Sequence, residues 1–369
     1  MNAFPLLCMI SLLVCMIPSN IGCCEDTASG GSLRLDTIAE IDCKQPVGLV
    51  AISESGKTVC AATFSLNGEP VYSPAKFNTE LMVAQSQHKF AAKVELRFPG
   101  HRIDHLSLSN DGQCLAHSIS GRTARLVALG EHGHGSFFSS GSDVVLCAIS
   151  PTTHTLAYIE EEESEDSHSL IRTLHLTRSD ATSGRSEKID MNHATRMIAW
   201  SRDEGVMAVV TGRYKVELWK GSPARVSTVI ERRSEDEGLD YEITGIAFSP
   251  DGTLLCCSGQ AGFTIWKLPE ARLVADFKDT TVFISEIAFS ADSSKLVACE
   301  HVVSGELLQP GRIPVGTSIS RWSIGDGKVS RTGQTSLAFT AAKFSNSGTA
   351  LCFVAPKQPS VVQLARLAE

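Results

Sequence analysis

Internal repetition constrains this chain more than any other feature, and it sets the register for everything else. Aligned on one serine, seven segments share an apolar run, a turn and a second apolar run. They are VGLVAISESGKTVCAA from Val47, IDHLSLSNDGQCLAHS from Ile103, VVLCAISPTTHTLAYI from Val144 and TRMIAWSRDEGVMAVV from Thr195. Then come ITGIAFSPDGTLLCCS from Ile243, ISEIAFSADSSKLVAC from Ile284 and FTAAKFSNSGTALCFV from Phe339. The shared residue is Ser53, Ser109, Ser150, Ser201, Ser249, Ser290 and Ser345, at successive spacings of 56, 41, 51, 48, 41 and 55.

The chemistry of the unit is that of a strand, a tight turn and a strand. Ser249-Pro250-Asp251-Gly252 is its clearest turn. Serine bonds its own turn backbone, Pro pre-sets φ, Asp tolerates the tight position and Gly permits φ > 0. A third strand follows most copies. It is read as Val94–Phe98, Ala124–Leu129 and Arg172–Leu176 in the first three, and as strands ending at Lys220, Leu268 and Ser323 in the next three. The last copy ends in Val361–Leu367, too close to Glu369 for a fourth strand, whereas Leu33–Ile41 alternates and stands unassigned before the first copy. Two-strand units cannot bury both faces alone, so the copies must stack. The expectation is an all-β, seven-bladed β-propeller closed by an N-terminal strand in the last blade.

These copies resemble a divergent WD-repeat (WD40-like) seven-bladed β-propeller, with ITGIAFSPDGTLLCCSGQAGFTIWKL, Ile243 to Leu268, the best match. The resemblance covers residues 33–369, with repeat cores near 47–64, 103–119, 144–160, 195–212, 243–260, 284–301 and 339–356. The family's Trp-Asp pair stands here as Trp219-Lys220, Trp266-Lys267 and Trp322-Ser323, and its Gly-His start survives as Gly100-His101. The polar network that those residues form in typical members is therefore expected to be mostly absent.

Composition bounds the class. With 33 basic against 41 acidic residues and a net charge of -8, the chain lacks the cationic surplus that binding nucleic acid requires. Residues 1–24 carry an apolar core from Leu6 to Ile17, short for a bilayer span and suited to a signal-peptide core. The expectation is an exported protein, periplasmic, envelope-anchored or secreted, with a possible lipid anchor at Cys23; a mis-called start would make it cytoplasmic. Of the 12 Cys, Cys60, Cys256 and Cys352 each fall seven residues after a shared serine. Equivalent positions on stacked sheets are about 10 Å apart, beyond disulfide reach, so these read as small buried hydrophobes.

Candidate chemical sites are few. Ala51 to Thr58 fits a relaxed phosphate-loop pattern but falls in repeat register, where Ser53 and Gly56 make a hairpin turn. His132 and His134 lack further ligands at a metal spacing, and the acidic run Glu160 to Glu163 with Glu165-Asp166 reads as a solvated loop. No GxSxG or HExxH occurs, and nothing calls for a cofactor. Extra length follows the second strand of blades 1, 3 and 6, on one rim, where binding residues concentrate. Tyr72, Phe77 and Arg312 are the candidate partner-binding residues there. The function expected is a non-catalytic protein-binding scaffold with another protein as partner. The alternative is a lactonase-like hydrolase with an axial site.

Overall fold

The computed structural model describes residues 31–66, 77–90, 93–99, 101–119, 123–129, 135–139, 143–163, 170–178, 186–191, 193–221, 224–232, 242–303, 314–325 and 328–367. Two strands, β1 (Gly31–Ser32) and β2 (Leu35–Asp42), precede the first repeat copy. That copy opens a four-stranded antiparallel sheet of β3 (Val47–Ile52), β4 (Thr58–Leu66), β5 (Phe77–Gln85) and β6 (Lys93–Pro99). The second sheet is β7 (Ile103–Leu108), β8 (Cys114–Ile119), β9 (Thr123–Ala128) and β10 (Gly135–Ser139). The third is β11 (Asp143–Ile149), β12 (Thr155–Glu163), β13 (Leu170–Arg178) and β14 (Ser186–Met191). The fourth is β15 (Thr195–Trp200), β16 (Met207–Thr211), β17 (Lys215–Lys220) and β18 (Arg225–Glu231).

The next two copies share one sheet through β19 (Ile243–Phe248), β20 (Leu254–Lys267), β21 (Arg272–Phe289), β22 (Lys295–Val303), β23 (Pro314–Gly325) and β24 (Lys328–Ser336). The first half of β20 pairs with β19 and the second half with β21, across an irregularity between Gln260 and Gly262. The second half of β21 pairs in turn with β22. The last sheet contains β25 (Ala341–Phe344), β26 (Ala350–Val354) and β27 (Val361–Leu367), and β2 completes it, running antiparallel to β27 from Leu35↔Leu367 to Asp42↔Val361. Just upstream, β1 lies parallel along β24, and Leu33 between them is buried. Among the described residues no helix is long and apolar enough to cross a membrane.

Second strands are apolar on both faces because both faces are covered: β16 and β26 are buried at every position. Seven apolar clusters carry the packing, and each joins two successive copies. One binds Ile103 and Leu115 to Leu81 and Phe98 of the preceding sheet. Another joins Val362 and Ala350 of the last copy to Val50 and Val59 of the first. The first strands of successive copies also lie side by side, β25 against β3 included. Cys60, Cys256 and Cys352 are each fully buried within this packing, and no disulfide joins any of the eight described cysteines.

Two expectations need correction. Val94–Phe98 is not a third strand but part of β6, the fourth; the third is β5. The turn between them is a 3-10 turn at Ser86–His88 followed by Lys89 and Phe90 at positive φ. It holds neither Gly nor Pro, so the sequence gives no turn signal there. The acidic run Glu160 to Glu163 is not a loop either, since it extends β12 opposite Leu170–Thr173 of β13, with Glu161 ion-paired to Arg172. Glu165-Asp166 lies outside the described residues.

Candidate functional site

The hairpin turns after the seven first strands make one rim, and one serine hydroxyl organises each. In every copy its Oγ accepts the N–H five residues on, from Thr58, Cys114, Thr155, Val206, Leu254, Lys295 and Ala350, at 2.8–3.2 Å. In four copies the hydroxyl also donates to an aspartate two residues on: Asp111, Asp203, Asp251 and Asp292. Hydrogen bonds from Ser201 and Ser290 lead the influences that hold Asp203 and Asp292 below the usual carboxylate range, Asp292 at about 2. Burial pushes Asp111 and Asp251 up, but bonds from their own serine and the following backbone prevail and lower them. Ala51 to Thr58 belongs to such a hairpin, with Thr58 already in β4.

Neighbouring turns are tied together. Glu54 N–H donates to the Asn110 carbonyl at 3.0 Å and Asn110 N–H to that of Pro151 at 3.1 Å. The Ser347 N–H donates to Glu54 Oε2 at 3.1 Å, and Asn346 Nδ2 reaches Asn110 Oδ1 at 2.5 Å. Glu204 closes the next junction by accepting the N–H and hydroxyl groups of both Thr152 and Thr153. Beside these ties lies an open cleft of about 350 Å³, lined by Glu54, Ser55, Asn110, Asp111, Pro151, Thr152 and Arg202.

On the first strands, one long cation interrupts a set of small residues. Two positions before the shared serine stand Ala51, Ser107, Ala148, Ala199, Ala247 and Ala288, but Lys343 in the last copy. Its Nζ reaches Glu286 Oε1 on β21 at 2.7 Å. Burial is the largest influence on the Lys343 ammonium, yet its side chain is 47% accessible. Burial would lower the Lys343 pKa, but the Glu286 carboxylate outweighs it and holds the ammonium charged. Glu286 is thus engaged as an ion-pair partner. Among the described residues no group of three or more His, Cys, Asp or Glu side chains could hold a metal ion. His132 and His134 lie outside those residues.

The opposite rim is uneven. Second strands run nine residues in copies 1, 3 and 6 but five or six in copies 2, 4 and 7. Copies 1, 3 and 6 therefore carry longer hairpins toward that rim. At the end of the copy 3 hairpin Leu170 and Ile171 are 51% and 49% exposed, the two most exposed large apolar side chains among the described residues. The sequence reading passed over this pair, although two aliphatics directly after a polar insertion were its visible signal. Tyr72 and Arg312 lie outside the described residues, and of Phe77 only the backbone is described, as the first residue of β5.

Comparison with known proteins agrees with this geometry. The sequence matches no protein-family profile and no curated protein. The structure is similar to a chain of the mitotic checkpoint complex, with TM-score 0.66 and 10% identity over 96% of this chain and 98% of that one. It is also similar to the Cps50 (Swd1) β-propeller domain of Myceliophteria thermophila, with TM-score 0.63 and 12% identity over 91% and 100% of the two chains. The fold is that of the WD-repeat β-propellers.

Proposed function

We propose that this chain is a seven-bladed ring, closed where β2 pairs with β27, and that it serves as a non-catalytic scaffold for another protein. Closure is supported by the apolar cluster joining the last copy to the first, which covers sheet faces that an open end would leave to solvent. The observation that carries the binding reading is the uneven rim, with its long hairpins and the exposed pair Leu170–Ile171. Apolar side chains raised on a rigid scaffold and bordered by charge match the centre and margin of a protein interface. Tyr72, Phe77 and Arg312 belong to the same rim in this reading. One similar structure is that of a complex, which fits a protein partner.

The test is a pull-down followed by substitution. Leu170→Ser with Ile171→Ser should weaken a recovered partner about tenfold or more and leave the melting temperature nearly unchanged. If Asn110→Ala or Asp251→Ala on the hairpin-turn rim abolishes binding while the double variant does not, the working rim is the other one.

A further inference from the structure

Two histidines sit in the seams between copies, and among the described residues no carboxylate is resolved as favouring their charge. His117, on β8, is completely buried, and neither ring nitrogen has a hydrogen-bond partner among the described residues. Its ring lies 5.2 Å from that of Phe98 on β6, in the seam between copies 1 and 2. Its strand partners are Leu106 on β7 and Arg125 on β9, and Arg125 is the charged group that acts on it. His301, on β22, places Nε2 2.8 Å from Ser285 Oγ and its ring 5.1 Å from Phe339, which belongs to the seam between copies 6 and 7. Phe283 on β21 and Thr317 on β23 are its strand partners, and burial is the sole resolved influence on its charge.

A buried polar group left without hydrogen bonds is costly, and an aliphatic side chain would fill the His117 position without that cost. The two other histidines with lowered pKa differ in kind, because His105 has Asp104 and His175 has Glu160 pulling toward the charged form. We propose that His117 and His301 are an acid-operated release: protonation loosens the seams on either side of copies 7 and 1, while the remaining seams hold.

The direction follows from linkage. Burial holds His117 down to about 3 and His301 down to about 4, from 6.5. Both pKa values are lower in the folded state, so their contribution to stability is complete above pH 6.5 and is lost as pH falls toward those values. Each histidine should raise the opening constant about 40- to 50-fold between pH 6.5 and 4.5, and approaching 100-fold between pH 7.5 and 4.5. The segment released holds the β2–β27 pairing, so acid would act where the ring depends on both chain ends.

The experiment compares urea unfolding at pH 7.5 and pH 4.5 for the wild-type chain, His117→Leu, His301→Gln and the double variant. Hydrogen exchange of β8 and β22, corrected for intrinsic rates, is followed alongside. His117→Leu should be as stable as wild type or more so at pH 7.5, and each substitution should remove about 100-fold of the acid-induced rise in the opening constant. In the wild type, β8 and β22 should exchange before β16 on acidification. Equal acid losses in wild type and double variant, or uniform exchange of all second strands, overturn the proposal. Should the variants fail to fold, ring NMR of the wild-type chain decides: resonances that remain neutral at pH 5 support it, and titration near 6.5 refutes it.

Discussion

Three residues after the shared serine the backbone enters the left-handed region in six copies, at Gly56, Gly112, Glu204, Gly252, Ser293 and Gly348. Steric strain makes that region unfavourable by about 1–2 kcal/mol for an L-residue, but its total effect depends on the surroundings. A methyl group on Gly252 would meet nothing within 4 Å, whereas on Gly112 it would approach Thr58 Oγ1 at 2.5 Å and Ser53 Cβ at 3.0 Å. Gly252→Ala should therefore cost about 1 kcal/mol, and Gly112→Ala about 3 kcal/mol because a steric clash adds to the strain. Ser249→Ala leaves the Leu254 N–H without its acceptor and should cost about 1–2 kcal/mol. Urea unfolding of the three variants checks the order; equal losses at both glycines would show that the turn of copy 2 does not press on copy 1.

Among the elements, β23 shows how the chain replaces the Trp-Asp pairing it lacks. Trp322 Nε1 donates to Glu300 Oε1 at 3.2 Å, and Arg331 Nη2 binds Glu300 Oε2 at 3.1 Å while stacking over the indole at 4.6 Å. Burial raises the Glu300 pKa in spite of Arg331, so its share of stability is full below the unfolded value and lost as pH rises through the folded one. Glu300→Leu leaves two donors unpaired and should cost about 3 kcal/mol. A double-mutant cycle with Trp322→Phe should show coupling, and strict additivity would mean that the network is incidental. The terminal strands make a second case. Trimming residues 1–42 removes β1 and β2, exposing the edges of β24 and β27. The truncated chain should lose several kcal/mol or aggregate; an unchanged melting temperature would sink the closing role of β2.

At the scale of the molecule, the packing makes the copies interdependent, since each apolar cluster belongs to two of them. Both ends of the described chain meet in that packing, where β2 pairs with β27, and residues 1–24 upstream carry an apolar stretch. We propose that this stretch is a leader that directs export. A reporter fused after Gly31 should then appear outside the cytoplasm. A cytosolic reporter retaining Met1 would refute it.

What the sequence determined by itself is local and periodic. The turn bonds of Ser53, Ser249 and their equivalents span five residues, so one turn chemistry repeated seven times was enough to place every first and second strand. Burial of the repeated cysteines followed from the same register. The tertiary structure decided what links distant parts of the chain. Glu300 meets Trp322 and Arg331 across 22 and 31 residues. Asn110 meets Asn346 across 236. Leu170–Ile171 became a candidate surface only when β12 and β13 were seen to extend. Nothing in the identity of a glutamate or histidine says which seam it will enter. That depends on how strands pair and sheets stack: β23 and β24 of its own sheet supply Glu300 with partners, whereas packing against Phe98 of the preceding sheet leaves His117 buried and neutral.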